Sequence, residues 1–564
     1  MYDSHQEEKL QALLAVIRGL NYILDDKMDE AIKIFNSGNT SFHLSGQAVV
    51  SFLQAVLTFE PSRFGESQNK IDIAIKALTE DKDYASKNDL YLCTFDPGIE
   101  YRVSIGLMLL LSALIGFCSE SIVTSVKSVY KLRKAHNIFN KINKRHFEAF
   151  STSFQTTNNK DIDTVNEYVQ TGTLLCTGLF TLLISLLPPK MITILSLLGY
   201  KGDRDMALSY MWMSALQRPS SFFAAVAFAA LIQYYSGAVQ LCSIYKVTPT
   251  EPDGWPVQRC FDILSKIRVT HPEGPMWPLH EAKLLSMVKK QSEAIDVLND
   301  LMSKPPPKLM QLEVLIVFEH ALDCAFSHRY VDSAHSFLKL SSLNDSSTGL
   351  YSYFAAACFL QDVQANANVE ALENASKLLE PLGNLLVDKT APLDIHIRRK
   401  VKKLADRRAS VGNQGGLAEY VGFSPLYQLV YVWNGFRRMN AEELSRFDVE
   451  RVQPWQDQDD DICQALVKAT LWRNTGKLDE SIKVLQKICQ VTKTTECWAV
   501  AFAHYEMAVA LFETDSTSKN SLKECDSYLK AARDFGGDNE FESRLIIRVQ
   551  LARHVVRQCL QEGG

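Results

Sequence analysis

Ala15-Val-Ile-Arg-Gly-Leu-Asn-Tyr-Ile-Leu-Asp-Asp-Lys-Met-Asp-Glu-Ala-Ile-Lys-Ile-Phe35 carries the spacing that decides the fold. Gly19 and Tyr22 sit three apart, Ala31 follows nine residues after Tyr22, and Phe35 follows four after that. Two helices folded back on one another need these residue types at these places. Gly19 lets the second helix approach the first closely, and Tyr22 fills the space beside it. Ala31 is the small contact returning from the second helix, while Phe35 anchors the next hairpin. The polar triplet Asp25-Asp26-Lys27 reads as the turn between the two.

Working outward, weaker copies of the spacing recur. Ala282, Leu285, Ala294 and Leu298 keep it around the turn Lys289-Lys290-Gln291, and Ala469, Trp472, Ser481 and Leu485 keep it around Asn474-Thr475-Gly476-Lys477. A fourth copy uses Leu322, Ala325, Ala334 and Leu338 around Ser327-His328-Arg329. This is the small-residue and ring skeleton of a tetratricopeptide repeat. The expected fold is all-α, a right-handed superhelix of antiparallel helical hairpins in which each hairpin is buried by stacking on the next. Between the copies lie apolar residues at helical intervals, such as Phe52, Ala55, Val56 and Phe59. The two-residue alternation of hairpin strands is essentially missing. Clusters of turn residues at 248–254, 271–275 and 305–307 suggest three blocks: an N-terminal one over 1–246, a middle one over 247–408 and a C-terminal one over 418–564.

Composition agrees with a large buried interior. Hydrophobic residues are 46% and charged residues 22% of 564, which excludes a disordered or collagen-like chain. The net charge of −5 offers no global basic field for nucleic acid, and no nucleic-acid partner is expected. The acidic, polar start from Met1 to Leu10 has the character of neither a secretory signal nor a transit peptide. The 12 cysteines are scattered without a CxxC pair and read as buried, reduced thiols. Cytoplasm and nucleus are the expected compartments.

Three runs, 103–119, 168–189 and 219–245, contain no charged residue. A membrane-spanning helix needs about 20 predominantly apolar residues. The second run reaches that length only by counting Gln170, Thr171, Gly172 and the terminal Pro188-Pro189, and the third is interrupted by Gln233, Tyr234, Tyr235, Ser236 and Gln240. Helices covered by neighbours on both sides are the expected reading, since such helices are apolar all round. The alternative is an integral or peripheral membrane protein.

Signatures of chemistry are missing. No GxxxxGK[ST], GxGxxG, HExxH or GxSxG is present, and the carboxylate clusters Asp25-Asp26 and Asp459-Asp-Asp461 fall in polar turns. No enzyme activity, metal or cofactor is expected. Two basic clusters are the candidate contacts for an anionic partner. From 121 to 147 there are seven cations and no acid: Lys127, Lys131, Arg133, Lys134, Lys141, Lys144 and Arg145. From 398 to 408, Arg398, Arg399, Lys400, Lys402, Lys403, Arg407 and Arg408 surround only Asp406. Each is either a solvated helix face or a surface for acidic protein segments, RNA or lipid headgroups.

Several longer stretches are familiar. They are Tyr130-Lys131-Leu132-Arg133-Lys134-Ala135; Ser185-Leu-Leu-Pro188-Pro189-Lys190 continuing through Leu198-Gly199-Tyr-Lys-Gly202-Asp203-Arg204; Leu429-Val-Tyr-Val-Trp-Asn-Gly435; Tyr528-Leu-Lys-Ala531; and Glu542-Ser-Arg-Leu-Ile-Ile-Arg548. Their order and spacing resemble the family of tetratricopeptide repeat protein 39 of animals and the inclusion body clearance protein of fungi, from about Leu13 to the C-terminus. Tyr200 stands where that family's pattern has Phe, and His136 where it has Tyr. The resemblance implies a non-enzymatic helical-repeat adaptor. In fungi it implies clearance of inclusion bodies after folding stress, with lipid-droplet proteins and inclusion-body components as partners. Any membrane contact would be peripheral, at lipid droplets or the mitochondrial outer surface. Within the Gly199–Arg204 element, Gly199 or Gly202 is expected to supply a positive φ in an inter-helix turn. Asp203 is expected to cap a helix beginning near Asp205.

Overall fold

The computed structural model describes residues 4–58, 61–118, 122–151, 156–186, 202–219, 221–343, 347–387, 389–411, 423–447, 458–536 and 539–562. Among the described residues the regular structure is helical, with a single isolated β-bridge between Thr248 and Glu251 and no strand. The chain forms two compact units. One comprises 1–233, 258–280 and 305–313; the other comprises 234–257, 281–304 and 314–564.

In the first unit the helices Ser4–Leu24, Met28–Phe35, Ser41–Thr58, Pro61–Lys87, Ile99–Cys118, Ile122–Ser151, Lys160–Leu186, Arg204–Gln217 and Phe222–Gln233 follow one another along the chain. The quoted hairpin works as its spacing requires. Ala31 and Phe35 are fully buried, and a Cβ on Gly19 would lie 2.5 Å from the Phe35 ring. A Cβ on Gly46, in the next helix, would also collide with that ring, so Phe35 is clamped between two bare backbones. Tyr22 is half-buried beside them.

The turns prove the register of the repeats. Asp26, Lys289, His328 and Gly476 have φ of 59°, 65°, 60° and 82°. Each stands two residues after one helix ends and two before the next begins, at 24/28, 287/291, 326/330 and 474/478. The following amide donates back to the last turn in every case: Lys27 to Tyr22, Lys290 to Leu285, Arg329 to Cys324 and Lys477 to Trp472, at 2.8–3.0 Å. This left-handed closure satisfies carbonyls that the helix end leaves bare.

The same geometry corrects the fourth copy by one residue. Counting back from His328 as from the other three turns, the equivalent positions are Ala321, Cys324, Ser333 and Phe337, not Leu322, Ala325, Ala334 and Leu338. Ser333 Oγ donates to the Ala321 carbonyl at 2.7 Å, as Ser481 Oγ donates to that of Ala469 at 2.8 Å. Ala325 and Ala334 are also small and buried, and this is why the pattern reads almost equally well one step along.

Most of the described part of each apolar run lies in a helix that buries most of its apolar window, residues 119, 187–189 and 220 lying outside the described residues. Ile99–Gly116, Lys160–Leu186 and Phe222–Val239 are long and apolar enough to cross a membrane, with 78%, 78% and 56% of their apolar windows buried within the protein. The third changes from α- to π-helix at Tyr234–Val239, where its polar interruption begins. Among the described residues eleven cysteines are free thiols, eight of them buried.

Candidate protein-docking site

Two stretches more than a hundred residues apart, 429–435 and 542–548, meet inside the second unit. The helix Pro425–Val432 begins on Ser424, whose side chain accepts from the Tyr427 amide, and stops at Trp433. Asn434 follows with φ 54°, and its side-chain amide donates to the carbonyl of Gln240 at 2.9 Å. A helix end presents carbonyls without partners and the negative end of its dipole. Arg548, from the helix Glu542–Glu562, answers both: its Nη2 donates to the carbonyls of Tyr431 at 3.0 Å and Val432 at 2.9 Å.

Arg548 is fully buried, and a buried guanidinium needs compensation. It lies 5.0–5.7 Å from the ring centres of Phe502, Tyr431 and Tyr505, and 3.9 Å from Glu506. Glu506 also accepts from Tyr431 OH at 3.1 Å and from Arg473 Nε at 3.1 Å, and Arg473 reaches on to Glu513 at 2.6 Å. Burial, with Glu506 alongside, pushes the Tyr431 phenol well above its ordinary pKa. The result is a ladder of alternating charges that pins the helices Pro425–Val432, Gln458–Asn474, Cys497–Thr514 and Glu542–Glu562 together.

One helical turn before Arg548, Arg544 lies over Trp433 with its Cζ 3.9 Å from the ring centre. Trp433 meets Phe354 edge-on at 5.6 Å and Phe318 at a tilt at 6.4 Å. Arg544 and Trp433 are both half-buried. Burial, and the neighbouring charge of Arg548, lower the Arg544 pKa to about 10. Among the described residues no carboxylate pairs with it and no acceptor takes its guanidinium N–H groups.

Five cations of the cluster at 398–408 are taken up within the same unit, while Lys402 is exposed and the side chain of Arg408 lies outside the described residues. Lys400 is buried and pairs with Glu496 at 2.7 Å, and Arg399 pairs with Glu496 at 3.3 Å and with Glu540. Arg398 donates to the carbonyls of Leu386 and Val387, while Lys403 and Arg407 share Asp460. Burial alone would raise the Glu496 pKa, but Lys400 and Arg399 overcome it and hold the carboxyl at about 2.

The cluster at 127–145 is disposed differently. In the 30-residue helix Ile122–Ser151, Arg133, Lys134, Lys141 and Lys144 are exposed, with Tyr130 69% exposed beside them. Lys131 donates to Ser112 Oγ at 2.6 Å and Arg145 pairs with Asp96 at 2.9 Å. Leu132 packs on Phe180 and Ile184, and Phe139 is buried against Gly106. The side chain of Lys127 lies outside the described residues, as do Pro188, Pro189 and Gly199. Asp203 caps the helix Arg204–Gln217 by accepting from the Met206 amide at 3.0 Å. That helix starts one residue earlier than expected. Gly202 has no positive φ; a Cβ there would instead meet the Ser185 backbone at 2.7 Å. Its role is close approach rather than backbone freedom.

Sequence reasoning missed Glu506, the hub of the charge ladder. The signal was present: it is the one acid in Ala499-Val-Ala-Phe-Ala-His-Tyr-Glu-Met-Ala-Val-Ala510, and an acid on an apolar helix calls for a buried cation. Among the described residues no group of three His, Cys, Asp or Glu side chains is arranged to hold a metal.

Comparison with known proteins gives a concordant picture. Residues 17–475 match the family described as Iml2/Tetratricopeptide repeat protein 39. The chain is 79% identical over 556 residues to the inclusion body clearance protein IML2 of Schizosaccharomyces pombe, covering 99% of each chain. The protein of the same name from Kluyveromyces lactis is 23% identical, over 96% of this chain and 95% of that one. Among solved structures, yeast Tom70 aligns over 98% of this chain and 97% of its own, at 12% identity and a TM-score of 0.28.

Proposed function

The chain belongs to the Iml2/Tetratricopeptide repeat protein 39 family, and on that premise we propose that it is a non-enzymatic adaptor that holds partner proteins during the clearance of inclusion bodies. The name carried by its relatives supports the process, and the stacked hairpins support the mode. Helices that shelter one another present their outer faces ready-made, so a scaffold of this kind loses little ordering entropy when a partner arrives. Glu506 and Glu496, two buried carboxylates, join helices through paired cations, which supports a scaffold rather than a catalyst.

The proposal includes lipid-droplet proteins and inclusion-body components as partners, with action in the cytoplasm and nucleus. The observation that carries it is the near-complete coverage of a protein named for inclusion body clearance. Proximity labelling in cells under proteotoxic stress, compared with unstressed cells, tests it. Enrichment of inclusion-body and droplet-surface proteins under stress is the expected outcome, and equal labelling in both conditions would reject the role.

A second reading, residence on a membrane, is favoured by three helices long and apolar enough to span one. Carbonate extraction separates the two: release into the soluble fraction is expected of the adaptor. A peripheral version would depend on the exposed cations of Ile122–Ser151, and reversing the charge of Arg133 and Lys134 tests it.

A further inference from the structure

We propose that Arg544 and Trp433 form a receiving site for an oxyanion, a carboxylate or phosphate group, carried by a partner protein. The inference rests on the adaptor reading and gives it a point of contact.

One charge in the second unit is left over. The guanidinium groups of Arg399, Arg407, Arg438, Arg473 and Arg548, all in the second unit, each lie within 4 Å of a carboxylate. Arg544 has no such neighbour among the described residues, although burial already disfavours its charge. Glu506 and Glu513, the acids of the ladder next to it, are taken by Arg473, Arg548 and Tyr431. The nearest interacting charge is a second cation, Arg548, held one helical turn away. A cation with a cation behind it and no acid in front is a place of positive potential, which an incoming anion would relieve.

The geometry suits an oxyanion. The guanidinium carbon lies 3.9 Å from the indole centre, within cation–π range, and among the described residues its N–H groups have no protein acceptor. A planar fork held in this way donates two parallel hydrogen bonds to a carboxylate or phosphate, a geometry that lysine cannot reproduce. Phe354 edge-on and Phe318 at a tilt brace the indole on the protein side. Both members retain solvent access.

The test uses the purified full-length chain and two probes at low salt, inorganic phosphate and an end-blocked peptide containing three glutamates. Calorimetric titration should show binding of at least one probe, weakened about tenfold by Arg544→Met and clearly by Arg544→Lys. Trp433→Phe, which keeps a ring, should weaken it less. Dependence on phosphate names a phosphoryl group, and dependence on the peptide names an acidic side chain. Thermal melting without a probe supplies the second readout. Removing an uncompensated cation should leave the melting temperature of Arg544→Met unchanged or higher. A lower melting temperature with no probe binding, or binding that ignores Arg544, would overturn the proposal and leave Arg544 a packing residue. Failure of the wild-type chain to label inclusion-body proteins in cells, with Arg544-dependent probe binding intact, would reject the adaptor role and leave the site standing.

Discussion

Arg548 closes the end of a helix that lies 116 residues earlier in the chain, donating to the carbonyl of Val432 at 2.9 Å while its own charge faces Glu506 at 3.9 Å. Replacing it with methionine strips two carbonyls of their donor and leaves the ladder short of a cation. Arg548→Met should therefore cost about 3–5 kcal/mol, read as a lower urea midpoint with an unchanged slope. A midpoint within error of the wild type would show that the ladder contributes nothing.

Two glycines should respond to the same substitution with opposite sign. Gly19 has the Phe35 ring 2.5 Å from where a Cβ would stand, whereas Gly65, within the helix Pro61–Lys87, has nothing within 4 Å. Gly19→Ala should destabilise by about 1–3 kcal/mol through overpacking. Gly65→Ala should stabilise by about 0.5–1 kcal/mol, because alanine loses less backbone entropy in a helix. Thermal denaturation of the two variants side by side measures the difference.

The turns provide a third comparison. Lys289 holds φ 65° and is exposed, while Gly476 holds φ 82° in open space. Left-handed backbone costs an ordinary residue about 1–2 kcal/mol. Gly476→Ala should lose about 1 kcal/mol and Lys289→Gly should gain a few tenths to 1 kcal/mol, net of the entropy of the freer unfolded chain. Chemical denaturation checks both, and a loss in Lys289→Gly would mean that its side chain has a role beyond the turn.

Glu100 sets a pH dependence. It is fully buried, neither carboxyl oxygen accepts from another residue, and burial raises its pKa from 4.5 to about 8. Between those values the folded protein keeps a proton that the unfolded chain releases. Its contribution is therefore fully present below about pH 4.5 and is lost as pH rises to about 8, by at most about 1.4 kcal/mol per pH unit. Glu100→Gln should flatten this part of the profile and gain most near pH 8. Urea midpoints across the range decide it, and an unchanged slope in the variant would contradict the assignment.

The hairpins were legible in the sequence because their determinants are local. Gly19, Tyr22, Ala31 and Phe35 lie within one turn and its two flanking helices, and the left-handed residue at 26, 289, 328 or 476 sits inside the same window. The one-residue slip at 321–337 arose where neighbouring positions are equally small, so that volume alone does not choose between them. The charge clusters were not legible in the same way. Arg407 meets Asp460 across 53 residues, Lys400 meets Glu496 across 96, and Arg399 meets Glu540 across 141. A run of cations looks the same on paper whether water or a distant carboxylate surrounds it. The meeting of Trp433 with Arg544 was hidden for the same reason, although both stretches had been singled out.

Because Arg548 supplies the donor that finishes Pro425–Val432, that helix end is completed only once a residue made 116 positions later has left the exit tunnel. Until then the carbonyls of Tyr431 and Val432 are without the partner that Arg548 gives them in the folded protein.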